Sequence, residues 1–181
     1  MNTFLKGQDR IVCLVGKSGT GKSTISKELE RYGLTDLKSY TSRPKRFESE
    51  ETHEFITPVQ ATVMLHEEEI IAHTRFDGHD YFGTLKQLVE SDVYIIDPAG
   101  VEFLATKIGR ENIMVIYVET SLLRRFRRMR KERGFKSACQ RIWHDRKAFR
   151  FIDYDRKVKN NNLCDLFYAP IHIVRWVKIW R

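Results

Sequence analysis

An apolar run, Ile11-Val12-Cys13-Leu14-Val15, passes directly into Gly16-Lys17-Ser18-Gly19-Thr20-Gly21-Lys22-Ser23, which satisfies G-x-x-x-x-G-K-[ST] at every fixed position. That order constrains the chain to a strand, a tight loop and a helix, the framework of a phosphate cradle. Gly16, Gly19 and Gly21 let the backbone curl until successive N–H groups point inward at an anion. A helix opening near Gly21 adds the positive end of its dipole. Lys22 is spaced to reach the β- and γ-phosphates of a nucleoside triphosphate, and the Ser23 hydroxyl to ligate Mg²⁺. The candidate contacts to such a ligand are Gly16, Ser18, Gly19, Thr20, Gly21, Lys22, Ser23 and Thr24. The competing reading is a glycine-rich turn with an exposed lysine.

The 181 residues suit one domain with a substantial core. No stretch of about 18 apolar residues exists, so no membrane partner is expected. Residues Met1 to Arg10 lack the apolar centre of a signal peptide. Cys13, Cys139 and Cys164 are odd in number, far apart and outside any metal-ligand spacing. Three free thiols in a reducing, cytoplasmic setting are therefore expected, without zinc or a structural disulfide.

The pattern along the chain alternates strands with helices. Strands are expected at 10–15, 55–57, 70–76, 81–82, 93–96, 113–118 and 154–159, and 39–46 reads as a short strand followed by a basic turn broken at Pro44. Helices are expected at 22–31, 60–69, 85–90, 101–107, 121–150 with a break at Gly134, and 163–180 with a bend at Pro170. Asp77-Gly78-His79-Asp80 reads as a hairpin turn. Such alternation favours an α/β fold built on a parallel sheet. Trp143, Trp176 and Trp180 are read as packing residues, Glu67-Glu68-Glu69 as a solvated helix end. His66, His73, His144 and His172 show no paired ligand spacing.

Charge is concentrated. The net charge is +8, yet residues 124–150 alone carry +10, opposed only by Glu132 and Asp145, and the rest sums to −2. Such a cluster fits a segment that closes over polyphosphate; nucleic acid is the competing partner. Two further signals concern phosphate. Asp97 ends the apolar strand Tyr94-Ile95-Ile96, where a carboxylate could stand near Mg²⁺ or cap the helix beginning at Pro98. Ser39-Tyr40-Thr41-Ser42-Arg43-Pro44-Lys45-Arg46 sets two arginines three residues apart behind hydroxyls, suited to bidentate capture of a second phosphate.

Taken in order, these motifs resemble the guanylate kinases among the nucleoside monophosphate kinases. The family's S-x-T-T-R-x-x-R matches Ser39, Thr41, Ser42, Arg43 and Arg46; its Y-x-F matches His53-Glu54-Phe55. Its G-N-Y-Y-G-T hairpin matches Gly78 to Thr84, and its D-x-x-x-G matches Asp97 with the glycine at Gly100. The arginine-rich lid matches 124–146, and the late asparagine near adenine is one of Asn160, Asn161 and Asn162. The resemblance implies a three-layer P-loop NTPase fold around a parallel five-stranded core sheet. It divides the single domain into a core (1–36, 90–120, 151–181), an NMP-binding insert (37–89) and a helical lid (121–150).

The resemblance implies MgATP on the phosphate loop, with Lys22, Arg43, Arg130 and Arg141 serving phosphoryl transfer. Arg127 and Arg133 form the competing lid register. Ser39, Arg43, Arg46, His53, Tyr81, Thr84 and Asp97 would hold the acceptor, and Ser23 and Asp97 the Mg²⁺. GMP or dGMP is the default acceptor. Two departures bear on it. Counting back from Gly78, Ala72 falls where the family keeps a base-reading glutamate, and His53 stands for tyrosine, giving a pH-dependent phosphate contact. A ribose bisphosphate phosphokinase on the same scaffold would need no base-reading glutamate. A non-catalytic guanylate-kinase-like binding module is the remaining alternative, weakened by the intact Gly21, Lys22 and Ser23.

Overall fold

The computed structural model describes residues 10–180, so the reading of the segment before Arg10 lies outside the described residues. A central sheet is built from β1 (Ile11–Val15), β2 (Asp36–Leu37), β7 (Val93–Ile95), β8 (Ile113–Glu119) and β9 (Arg156–Lys159). Its order is β2-β7-β1-β8-β9, and every pairing is parallel. All five residues of β1 are buried, as expected for a parallel strand covered on both faces. The two-residue period divides them. Ile11, Cys13 and Val15 enter one core cluster, Val12 and Leu14 the other.

Helices cover each face. On the Val12/Leu14 side lie α1 (Lys22–Glu30), through Ile25 and Leu29, and α7 (Leu163–Trp180), through Ala169, Ile173 and Val177. On the other side lie α3 (Leu85–Val89) and α4 (Pro98–Ile108), through Leu88, Val101 and Leu104. This is an α/β three-layer arrangement. Helix α7 runs unbroken through Pro170.

A second sheet combines β3 (Tyr40–Thr41), β4 (Glu54–Phe55), β5 (Ile70–Phe76) and β6 (His79–Thr84) in the order β4-β3-β6-β5. The β5–β6 hairpin turns at Asp77-Gly78, both at positive φ, with φ 53° at Asp77 and φ 79° at Gly78. Helix α2 (Pro58–Glu67) starts with a capping box of Thr57 and Gln60. Helices α5 (Leu122–Arg133) and α6 (Phe135–Ala148) meet at Gly134, whose φ of 81° ends one helix before the next begins.

The expected elements are present with bounds shifted by a few residues, and some differences have a physical reason. Strand β2 was not expected, because two residues are too few to show a period. Helix α4 begins at Pro98, three residues early, since Asp97 caps it through Gly100. Trp143 is 75 % exposed and is not a packing residue, whereas Trp176 and Trp180 pack against the α7-side cluster. Cys13 is buried, Cys139 and Cys164 are exposed, and all three are free. Among the described residues, no helix is long and apolar enough to cross a membrane.

Candidate active site

The loop after β1 has the backbone that its glycines allow. Gly19 and Gly21 sit at φ 75° and 88°, in the left-handed region. A Cβ on Gly21 would press on the Asn160 side-chain amide, and the left-handed φ strains any other residue there. Gly21 also leaves α1 without a side-chain cap. The first-turn N–H groups, beside exposed Ser23 and Thr24, are thus free of an intrahelical acceptor, the basis of anion binding at a helix start. Lys22 folds back to donate to the Gly16 carbonyl at 2.5 Å. Burial, joined by the charges of Arg125, Arg133 and Arg141, pulls its ammonium down to about 8 against the opposing pull of Asp145.

Helices α5 and α6 are tied to this loop. Asp145, 4 % exposed, accepts from the Ser18 backbone N–H at 2.9 Å and from the Ser18 hydroxyl at 3.2 Å. It also pairs with Arg125, 5 % exposed, whose Nε–H donates to the Ser18 carbonyl at 2.8 Å. Arg128 donates to the carbonyls of Gly19 (3.3 Å), Thr20 (3.4 Å) and Asn160 (3.1 Å). The side-chain amide of Asn160 donates to the Thr20 carbonyl at 2.8 Å. Of the three candidate asparagines, Asn160 is therefore the one bonded to the loop.

A second cluster forms around Glu50, which is 1 % exposed. Arg43 grips it bidentately at 2.9 and 3.1 Å. Arg46 adds its backbone N–H (2.7 Å) and its guanidinium (3.0 Å), and Thr52 its hydroxyl (3.1 Å). Burial alone would push the Glu50 carboxyl up, but the Arg43 hydrogen bonds and the Arg46 N–H outweigh it and hold it at about 2.

The two clusters meet electrostatically. Burial comes first, then Arg141 lowers Arg133, and Arg46 lowers Arg141; Arg43 acts on both. Four like charges thus converge from two distant segments. Among the described residues the buried Nε–H groups of Arg43 and Arg133 have no hydrogen-bond acceptor, the latter lying 3.8 Å from the Glu132 carboxylate. A buried unmade hydrogen bond costs about 1–3 kcal/mol, and more for a charged group. Such donors suit an oxyanion. Arg133 and Arg141, one from each lid register, are the pair brought to this cluster, while Arg127 and Arg130 stand exposed on α5. Arg141 and His144 also pack on Phe76 of the β5–β6 hairpin, at 5.0 and 4.9 Å.

The remaining candidates divide. Ser39, 7 % exposed, hydrogen-bonds His53 Nδ1 at 3.1 Å, and the His53 ring lies 5.6 Å from that of Tyr81. Burial, then Arg43 and Arg46, drives His53 down to about 4. Thr84, 2 % exposed, caps α3 by accepting from the Gln87 N–H. Asp97 accepts from the Gly100 N–H at 2.7 Å and from the Thr74 hydroxyl at 3.0 Å, which realises the capping alternative. Ala72 is 3 % exposed inside the apolar cluster with Ile71, Leu88 and Tyr94. Among the described residues no group of three or more His, Cys, Asp or Glu could hold a metal. Glu50, Arg125, Arg128 and Asp145 were not singled out from sequence. Only the two lone acidic residues within the basic 124–150 run hinted at one of them.

Comparison with protein-family models finds no match, and neither does comparison with curated proteins. Solved structures do match. A guanylate kinase from Anaplasma phagocytophilum superposes with a TM-score of 0.66 at 20% identity, over 97% of this chain and 87% of that one. An uncharacterized protein from Eubacterium ventriosum superposes with a TM-score of 0.50 at 15% identity, over 93% of this chain and 98% of that one. The fold is that of guanylate kinase.

Proposed function

We propose that this chain is an ATP-dependent phosphotransferase that moves the γ-phosphoryl group of MgATP to the phosphate of a nucleoside monophosphate, GMP or dGMP being favoured. The observation that carries the reading is the electrostatic coupling of Arg43 and Arg46 to Arg133 and Arg141, the latter two also acting on Lys22, with buried Nε–H groups on Arg43 and Arg133 that lack a hydrogen-bond acceptor among the described residues. A phosphoryl group in flight carries charge on its equatorial oxygens, and fixed guanidinium groups stabilise that charge without reorganising.

In this reading Gly16 to Thr24 cradle the triphosphate, with Lys22 on its terminal phosphates. Arg43 and Arg46, with Ser39, His53 and Tyr81 alongside, hold the acceptor phosphate. One of its oxygens attacks the γ-phosphorus in line, the bond to the β-phosphate bridging oxygen breaks, and ADP leaves. Arg133 and Arg141 close over the transferring group. Segment 121–150 then acts as the lid, 37–89 as the acceptor-binding insert and the remainder as the core. Lid closure excludes water and suppresses ATP hydrolysis. Arg130, exposed on α5, gives its place in the lid pair to Arg133.

Mg²⁺ would neutralise charge on the β- and γ-phosphates. It keeps several waters and takes few protein ligands, so the phosphates themselves would supply most of its hold. Ser23, exposed at the start of α1, would hold it, and Asp97, whose oxygens accept from the Gly100 N–H and the Thr74 hydroxyl, is the second candidate. Three free thiols suit a cytoplasmic setting.

One observation favours a second acceptor class. Ala72 lies in an apolar cluster, so no carboxylate reads guanine from that position, and a ribose bisphosphate would require none. A coupled ADP-release assay with MgATP, the nucleoside monophosphates and ribose 1,5-bisphosphate decides the matter, with Lys22→Ala as the blank. Turnover with GMP or dGMP supports the default. Turnover with the sugar phosphate alone replaces the acceptor. ATP binding without turnover leaves a binding module.

A further inference from the structure

The cationic cluster of 124–150 is larger than the phosphoryl-transfer reading uses. Arg125, Arg128, Arg133 and Arg141 turn inward, but the other face of α6 exposes Lys136, Gln140, Trp143 and Lys147. Their spacing of four, three and four residues places them on one stripe of the helix. Arg146 flanks the stripe, and Arg150 continues past the helix end, with its guanidinium 5.4 Å from the Phe151 ring. On α5, Arg124 and Arg127 are exposed in the same way. Among the described residues none of these cations is in an ion pair, and Glu132 is the only exposed acid on either helix.

On α6 and just beyond it the exposed apolar groups are of one kind, whereas α5 exposes the aliphatic Leu122 and Leu123 at its start. Trp143 is 75% exposed, Phe151 82% and Phe135 64%, and no large aliphatic side chain is exposed between Leu123 and Leu163. Lipid insertion draws on aliphatic area, whereas stacking of unpaired bases needs flat rings between cations. Duplex DNA already stacks its bases internally and would leave the rings unused.

We propose that the outer face of α6, continued by Arg150 and Phe151, is a docking surface for single-stranded nucleic acid. Phosphates lie against Lys136, Arg146, Lys147 and Arg150, and bases stack on Trp143 and Phe151. The surface is turned away from the arginines of the candidate active site, so this inference stands or falls independently of the kinase reading.

Fluorescence anisotropy tests it with labelled oligothymidylate and oligouridylate of about 20 nucleotides, enough to exceed a single-strand site, and a duplex of equal length. Both single strands are expected to bind, the stronger arm telling DNA from RNA, with the duplex at least about tenfold weaker. Affinity falls steeply between about 50 and about 200 mM salt, and Lys136→Glu with Lys147→Glu flattens that dependence. Trp143→Ala weakens single-strand binding by about tenfold or more, as loss of a stacked base requires. Because Trp143 is largely solvated, the variant keeps the wild-type melting temperature and ADP-release rate, which separates lost docking from lost fold. Equal affinity for duplex and single strands, indifference to Trp143→Ala, absence of binding at the lower salt, or capture by anionic phosphatidylserine vesicles in place of oligonucleotides would each overturn the proposal.

Discussion

Two buried carboxylates organise this molecule in different ways. Glu50 gathers Arg43, Arg46 and Thr52 from within seven residues of itself, and it is a local knot. Asp145 joins α6 to Ser18, 127 residues earlier, and to Arg125 on α5. The first shapes one arginine pair; the second sets where two whole helices sit. The contrast predicts that damage at Asp145 is felt as stability and lid placement, and damage at Glu50 as acceptor binding.

The largest effect is expected at Asp145. Asp145→Ala leaves Arg125 buried without its partner and should cost about 3–5 kcal/mol by urea denaturation. A loss under about 1 kcal/mol would show that the clasp is dispensable. Ala72→Glu comes next, since a carboxylate placed in that apolar cluster should destabilise by about 3 kcal/mol or more, read in the same experiment. A stable variant with improved GMP turnover would instead mean that the site readily accommodates a base-reading carboxylate.

Glu50→Gln keeps the shape but halves the charge-assisted bonding, and should cost about 1–3 kcal/mol while raising the acceptor KM more than the ATP KM. Equal changes in both constants would dissolve the distinction between the two carboxylates. The pH dependence sharpens it further. The Glu50 carboxyl is lowered from 4.5 to about 2, so its contribution to stability is complete above 4.5 and is lost as pH falls towards 2. Glu50→Gln should therefore flatten the acid limb of the stability curve.

The smallest effect concerns protons at the loop. Lys22 is lowered from 10.5 to about 8, and a bound polyphosphate would raise it again. Nucleotide binding near pH 8 should then take up a fraction of a proton, measurable by calorimetry in buffers of different ionisation enthalpy. No buffer dependence would mean that Lys22 does not meet the phosphates.

The glycine loop between β1 and α1, the core strands and the hairpin were legible as structure because their signals are local. A glycine pattern, an apolar run and a turn each occupy fewer than about ten residues. Asp145 and Glu50 were not, because their meaning lies in partners that only the tertiary fold supplies. Which arginines of 121–150 turn inward was illegible for a related reason. On an arginine-rich helix every register offers an arginine, and only the packing of α5 against α6 turns Arg133 inward while leaving Arg130 in solvent. Trp143 misled because its position among helical apolar residues looks like packing until burial is known. Thr84 and Asp97 carry hydroxyl and carboxylate groups that serve as helix caps here, roles available to those residue types wherever a helix begins.

The central claim is that arginines from two segments act on one phosphoryl group. Its most direct test is the rate of phosphoryl transfer from MgATP to the acceptor that turns over fastest, for wild type, Arg141→Ala and Arg130→Ala. The account predicts a loss of about 100-fold or more in kcat for Arg141→Ala with ATP affinity nearly unchanged, and less than about threefold for Arg130→Ala. Equal rates for wild type and Arg141→Ala, or no transfer to any acceptor by the wild type, would contradict it.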